Sequence, residues 1–300
     1  MRGLNEFSPG EWLRLLPLQH ALKQVRNDLW LAVYNEIRPK NLDAFLKGAD
    51  TLADKNIALI VAFEQPWALD WLLAMAARHL TDTTILVFDN SKKTGARADI
   101  ERVCIRHNTR YLALPTNRTR HANRSHGMAM TWIFNNVVTV IKPRLFAFLD
   151  HDLIPVKSIA LSERLGDQPF FGLLGTSERF RAWQLWAGYC VFDFSTVAGK
   201  SMNFLYDFSR GLDTGGRNWR KLYCNYDQSR LRFAGNTVVE VTDPVTGSPV
   251  PVQIVDDRWF HIGGIGYNDN FIAKSKFCEN LSHAFTKGMD WDQCIRPTNH

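Results

Sequence analysis

The chemistry this sequence can offer begins at Asp150-His151-Asp152, which closes the apolar run Leu145-Phe146-Ala147-Phe148-Leu149. Two carboxylates at i and i+2 behind a buried strand are costly to desolvate unless something pairs with them. A divalent cation that also holds phosphate oxygens meets that need. Mg2+ and Mn2+ favour hard oxygen ligands, often one or two carboxylates completed by substrate phosphates. The metal would then act as a Lewis acid, neutralising charge that grows on a departing diphosphate. The competing reading is a solvated Asp-x-Asp turn, and position in the fold decides between the two.

The elements that must position the triplet alternate in type. Residues 56–63 form a continuous apolar run suited to a buried parallel strand. A helix follows over 66–80, a strand over 84–88 ending in Asp89-Asn90-Ser91, a helix over 96–108 and a short strand over 111–114. A helix over 124–140 then leads into the strand that ends at Asp150. This pattern predicts an α/β fold with a doubly wound, mainly parallel sheet. Ligands in such sheets bind outside the carboxyl ends of the strands, where Asp89 and Asp150 both fall. After residue 155 the alternation is lost, which predicts a mixed or antiparallel region covering the site. Upstream, residues 1–52 read as an N-terminal helical extension. Ser8, Pro9 and Glu11 start one helix, Pro17 interrupts it, and a second helix runs over 22–37. The extension either packs on the main domain or offers Trp12, Leu13, Leu16, Arg14, Lys23 and Arg26 to a membrane surface or a partner.

Segment 57–152 resembles the nucleotide-binding half of GT-A glycosyltransferases, particularly the large family-two group. The likeness is carried by Ala62-Phe63-Glu64-Gln65-Pro66, by Val87-Phe88-Asp89-Asn90-Ser91, by Arg124-Ser125-His126-Gly127 and by Phe148-Leu149-Asp150-His151-Asp152 as a DxD motif. It implies one GT-A-like domain over 53–300, with a nucleotide-binding half over 53–155 and an acceptor-binding half over 156–300. It also implies that Asp89 accepts a hydrogen bond from the base and that Arg124 or His126 approaches the diphosphate. Asp150 would contact ribose or the metal, Asp152 would bind Mn2+ or Mg2+ directly, and His151 would point away from it. The donor would be a UDP- or GDP-sugar and the acceptor a glycan or lipid-linked hydroxyl, in surface-polysaccharide synthesis.

Three clusters in the second half extend this reading. Trp183, Trp186 and Gly188 lie in Trp-Gln-Leu-Trp-Ala-Gly-Tyr, where aromatic faces beside a glycine can stack on an acceptor sugar or pack as core. Asp213, in the loop Gly211-Leu212-Asp213-Thr214-Gly215-Gly216, is the candidate general base, with Asp193 and Asp227 in reserve. The usual Glu-Asp pair of the resembled family is absent at this stage. His261, within 259–267, matches the histidine with which many GT-A enzymes complete the metal site, and neutral imidazole suits Mn2+ beside carboxylates. Gly263-Gly264-Ile265-Gly266 does not satisfy a dinucleotide fingerprint.

Bulk properties narrow the classes. A net charge of +6, with basic residues scattered, suits phosphorylated ligands or an anionic surface and does not call for nucleic acid. Five cysteines without a CxxC pair read as reduced thiols of a cytoplasmic protein, peripheral at most to the inner face of the membrane. No stretch reaches the ~20 apolar residues of a spanning helix. The competing functions are a catalytically inactive, transferase-like glycan- or partner-binding module and a nucleotidyltransferase. The first-strand loop Glu64-Gln65-Pro66 lacks the glycines and cations that nucleotidyl transfer normally uses.

Overall fold

The unbroken apolar run after Lys55 forms strand β1 (Asn56–Ala62), buried at every residue because helices cover both faces of its sheet. A computed structural model describes residues 2–264 and 271–295 of the chain. Three N-terminal helices precede β1: α1 (Pro9–Leu13), α2 (Leu16–Glu36) and α3 (Leu42–Ala49). Ser8 caps α1 with a capping box to Glu11. Contrary to the sequence expectation, Pro17 does not interrupt a helix. It sits in the first turn of α2, where its missing N–H costs nothing, and the break falls at Leu15, whose φ is 54°.

The expected alternation follows as α4 (Pro66–His79), β2 (Thr84–Asp89), α5 (Thr94–Arg106), β3 (Arg110–Ala113), α6 (Ala122–Ile133), a π-helical turn (Phe134–Val138), α7 (Thr139–Ile141) and β4 (Leu145–Asp150). Beyond it lie β5 (Leu153–Pro155), α8 (Leu161–Leu165), β6 (Phe170–Ser177), β7 (Ala182–Asp193), α9 (Phe194–Val197), β8 (Asn236–Thr242), β9 (Pro249–Val255), β10 (Trp259–His261), α10 (Phe271–Thr286) and α11 (Trp291–Cys294). The main sheet has the order β3-β2-β1-β4-β7-β6. Its first four strands are parallel, and β7 and β6 join antiparallel. A second, antiparallel sheet has the order β5-β10-β9-β8. The α/β class with a mainly parallel sheet, expected from sequence, is therefore present.

Residues of β1 alternate between two cores. Ala58, Ile60 and Ala62 join the one built with α4, α5 and the small sheet; Ile57, Leu59 and Val61 join the one built with α3, α6 and α7. The N-terminal helices share this second core through Leu31, Tyr34, Leu42 and Phe45, and Trp132 of α6 donates its indole N–H to the Ile37 carbonyl at 3.0 Å. Trp132 is fully buried, so Trp132→Ala is expected to cost about 3–5 kcal/mol of unfolding free energy, read as a lower urea midpoint. Ionic contacts fasten the same extension to residues 204–220. Arg210 pairs with Glu6 and Asp207, each at 2.9 Å, and Arg217 pairs with Asp28. Among the described residues no helix is long and apolar enough to cross a membrane, and all five cysteines are free.

Candidate metal and donor site

Parallel pairing puts the carboxyl ends of β1, β2 and β4 side by side, with Ala62 opposite Asp89 and Val61 opposite Asp150. A cavity of about 320 Å3 opens there, bordered by Phe63, Asn90, His126, Asp150, Trp186 and Asp213 among others. The small sheet brings in the far histidine. Leu153 of β5 pairs with His261 of β10, so Asp152, one residue earlier, lies beside the imidazole, and the Ile262 N–H donates to the Asp152 carbonyl at 3.0 Å.

Asp150, Asp152 and His261 present ligand atoms that all lie within 4.8 Å of one another. His261 Nε2 is 3.8 Å from Asp152 Oδ2. Its other ring nitrogen, Nδ1, is 2.5 Å from Oε1 of Gln253, its cross-strand neighbour on β9. Gln253 in turn donates from Nε2 to Asn236 Oδ1 at 2.9 Å. With the amide so oriented, Nδ1 carries the proton, and the Nε2 lone pair is left for a ligand on the carboxylate side. The Trp186 ring packs edge-on against the imidazole, with centroids 4.9 Å apart. Burial first, and then the Asp152 carboxylate, pushes Asp150 up to about 6. Two carboxylates and one imidazole in a desolvated corner are a donor set that Mn2+ or Mg2+ fits, and a cation there would reverse the repulsion that raises Asp150.

The other expected residues divide. His126 borders the cavity with Nε2 3.6 Å from Asp150 Oδ1, and burial pushes its imidazole down to about 4, so it is neutral near pH 7. Asp213 also borders the cavity. Its Oδ1 accepts from the Asn123 side chain and from the Thr214 N–H, the latter at 2.7 Å. His151, expected to turn away, lines the same cavity, although it lies outside the three-residue cluster.

Asp89 does not open on the cavity. It is fully buried, accepting from the Ser91 N–H at 2.7 Å and the Tyr111 hydroxyl at 2.9 Å. Its neighbour Asn90 borders the cavity instead, because successive residues at a strand end face opposite ways. Arg124 spends its guanidinium on Thr119 Oγ1 and the Tyr206 hydroxyl, at 3.4 and 3.3 Å, and does not line the cavity; Lys92 and Arg120 do. Trp183 is 4% exposed and packs against Tyr223 with centroids 5.0 Å apart, so it is core.

Trp183 and Trp186 are three residues apart on β7, so strand alternation turns them to opposite faces; the β6–β7 register shifts just beyond, where Gly172 pairs with Cys190 but Leu174 pairs with Leu185. Leu173 alone thus stands opposite residues 186–189, and Trp186 and Ala187 of that surplus segment line the cavity. Gly188 supplies room rather than a contact surface. A Cβ there would come 2.5 Å from Asp150 Oδ2 and would collide with the Trp186 ring. The reserve acids are caps: Asp193 accepts from the Ser195 N–H opposite the start of β4, and Asp227 accepts from the Ser229 N–H. Ile265, Gly266 and Tyr267 lie outside the described residues.

No protein-family model and no curated protein matches the chain. Among solved structures it is similar to a mannosyltransferase from Pyrobaculum calidifontis in complex with GDP-Man and Mn2+, at 11% identity and a TM-score of 0.36, over 59% of this chain and 53% of that one. It is similar to glucosyl-3-phosphoglycerate synthase from Mycobacterium tuberculosis in complex with Mn2+ and UDP-glucose, at 12% identity and a TM-score of 0.33, over 54% and 63%. The galactosyltransferase LgtC with donor and acceptor sugar analogs matches at 16% identity and a TM-score of 0.34, over 46% and 58%. The matched region spans less than two thirds of each of these chains.

Proposed function

We propose that this protein is a divalent-metal-dependent glycosyltransferase that moves a sugar from a UDP- or GDP-sugar to a hydroxyl of a glycan or lipid-linked acceptor, in polysaccharide synthesis. The observation that carries the reading is the Asp150–Asp152–His261 cluster, with Nε2 of His261 freed by Gln253, at the carboxyl edge of a mainly parallel sheet. A bound Mn2+ or Mg2+ supplies Lewis-acid stabilisation of the leaving diphosphate. The chain does the rest. Lys92 and Arg120 border the cavity as cations suited to phosphate, and neutral His126 can donate a hydrogen bond without adding charge. Asn90 takes the place expected of Asp89 beside the nucleoside. Asp213 accepts the proton of the acceptor hydroxyl as that oxygen attacks the anomeric carbon. Trp186 offers its face to the acceptor sugar.

Calorimetry with UDP and GDP, with and without Mn2+, tests the reading. Metal-dependent binding of one of them is expected, with slow hydrolysis of the matching sugar nucleotide. Binding without any turnover would favour the inactive, glycan-holding module, and absence of binding would remove the donor site altogether. GDP-mannose and UDP-glucose serve as first probes. Gln253→Leu keeps the side-chain bulk but removes the acceptor that holds Nδ1–H of His261. It is expected to weaken Mn2+ binding about 10- to 100-fold, by calorimetry or electron paramagnetic resonance. Unchanged affinity would mean that His261 needs no such partner.

A further inference from the structure

Helix α2 is apolar on two opposite faces. One carries Pro17, Leu31 and Tyr34 and is buried against the domain. The other carries Leu15, at the helix cap, and Leu18, Leu22, Val25, Leu29 and Ala32, alternately three and four residues apart. That is the a/d spacing of a helix-pairing seam. The seam is open: Leu18 is 53% exposed, Leu22 73%, Val25 65% and Leu29 65%, and Val33 on its flank is 54%. Summed with Leu15, these side chains expose on the order of 600 Å2, the upper end for a monomer and close to the ~800 Å2 that each partner brings to a standard interface.

Charge identifies the occupant. Lys23 and Arg26 are balanced by Asp28 and Glu36, so α2 has no net charge. A helix that lies on an anionic membrane carries an excess of Lys and Arg on its polar face. The seam is also complementary to itself when reversed. With Leu22 of one copy against Val25 of the other, Leu18 meets Leu29 and Leu15 meets Ala32. Every a position then meets a d position. Arg26 then faces Gln19 and Asp28 faces Ala21, so no like charges meet across the seam. A two-fold axis at the middle of α2 produces this contact and closes it at two copies.

We propose that the outer face of α2 joins two copies of this chain as an antiparallel helix pair. The proposal is independent of the sugar-transfer reading.

Sedimentation velocity of the full chain tests it. A dimer is expected at micromolar concentration. The double variant Leu22→Glu, Val25→Glu places four carboxylates at the centre of the seam, and is expected to weaken dimerisation by roughly 100-fold or more. Both side chains are exposed, so the circular dichroism spectrum should not change. Orientation is read by cross-linking on a Cys224→Ser background. A mixture of Leu22→Cys and Val25→Cys chains should form a disulfide dimer, while Leu18→Cys alone should not, since its two copies lie ~16 Å apart along the pair. A protein that stays monomeric throughout, or a dimer that survives the double variant, overturns the proposal. Self-linking of Leu18→Cys overturns the antiparallel order. A monomer that binds anionic phospholipid vesicles, and loses that binding in the double variant, would make the membrane surface the occupant instead.

Discussion

Asp152→Ala is expected to abolish measurable Mn2+ binding and to lower kcat/KM for sugar transfer by at least ~1,000-fold, the several kcal/mol that a metal supplies to a leaving diphosphate. The size follows from where Asp152 stands. It is 6% exposed, it belongs to the cluster with Asp150 and His261, and Gly263 fixes its Oδ2 with an N–H at 3.2 Å. Without it the cation keeps one carboxylate and an imidazole 's single lone pair. The fold should not suffer. Asp152 is one of the groups that push Asp150 up, so its removal relieves a repulsion in metal-free protein. Thermal unfolding therefore separates the two effects. The variant's melting temperature without metal should match or exceed that of the parent, while the rise that Mn2+ gives the parent by mass action should vanish. If Asp152→Ala still bound Mn2+ like the parent, the metal site would lie elsewhere.

Asp213→Asn is expected to lower kcat by about 100- to 10,000-fold while leaving Mn2+ and nucleotide affinity nearly unchanged, the signature of a base used only in the transition state. The amide is isosteric, and its oxygen can still accept from Asn123 and from the Thr214 N–H, so the loop holds its shape. What it loses is the ability to take a proton. The loop itself is firmly placed: Arg210 is tied to Glu6 and Arg217 to Asp28, on either side of Asp213. A kcat that survives the substitution, measured under single-turnover conditions, would pass the role of base to another group.

Much of this arrangement was legible in the sequence, because burial on both faces writes itself as unbroken apolar runs. β1, β2 and β4 announce themselves in that way, and with them the carboxyl edge where Asp150 and Asp152 stand. The nearness of His261 was legible only through resemblance, since it depends on β5 pairing with β10 across a long stretch of chain. Asp89 shows the limit of motif reading. Its place at a strand end could be read, but its direction depends on Tyr111 of the next strand, whose hydroxyl claims the carboxylate. Trp183 and Trp186 are separated by the ordinary alternation of β7, which becomes legible only once the segment is recognised as one strand. Gln253 was invisible for a similar reason, being a polar residue between Val252 and Ile254 whose partner is set by strand register.

The β6–β7 register shift also bears on how the molecule can change over time. Residues 186–189 face a single residue of β6, and of the four only Tyr189 is paired on the other side, with Leu149 of β4. Trp186 and Ala187 have no ladder partner on β6 or β4, so replacements there are expected to leave the pairing of Leu185 and Cys190 intact. The wall of the cavity is thus outside the β6 ladder yet still touches the metal-holding corner, through the Trp186 ring on His261 and Gly188 beside Asp150. Preference for one acceptor over another can drift at Ala187, while Trp186 and Gly188 are constrained by the metal-holding corner they touch.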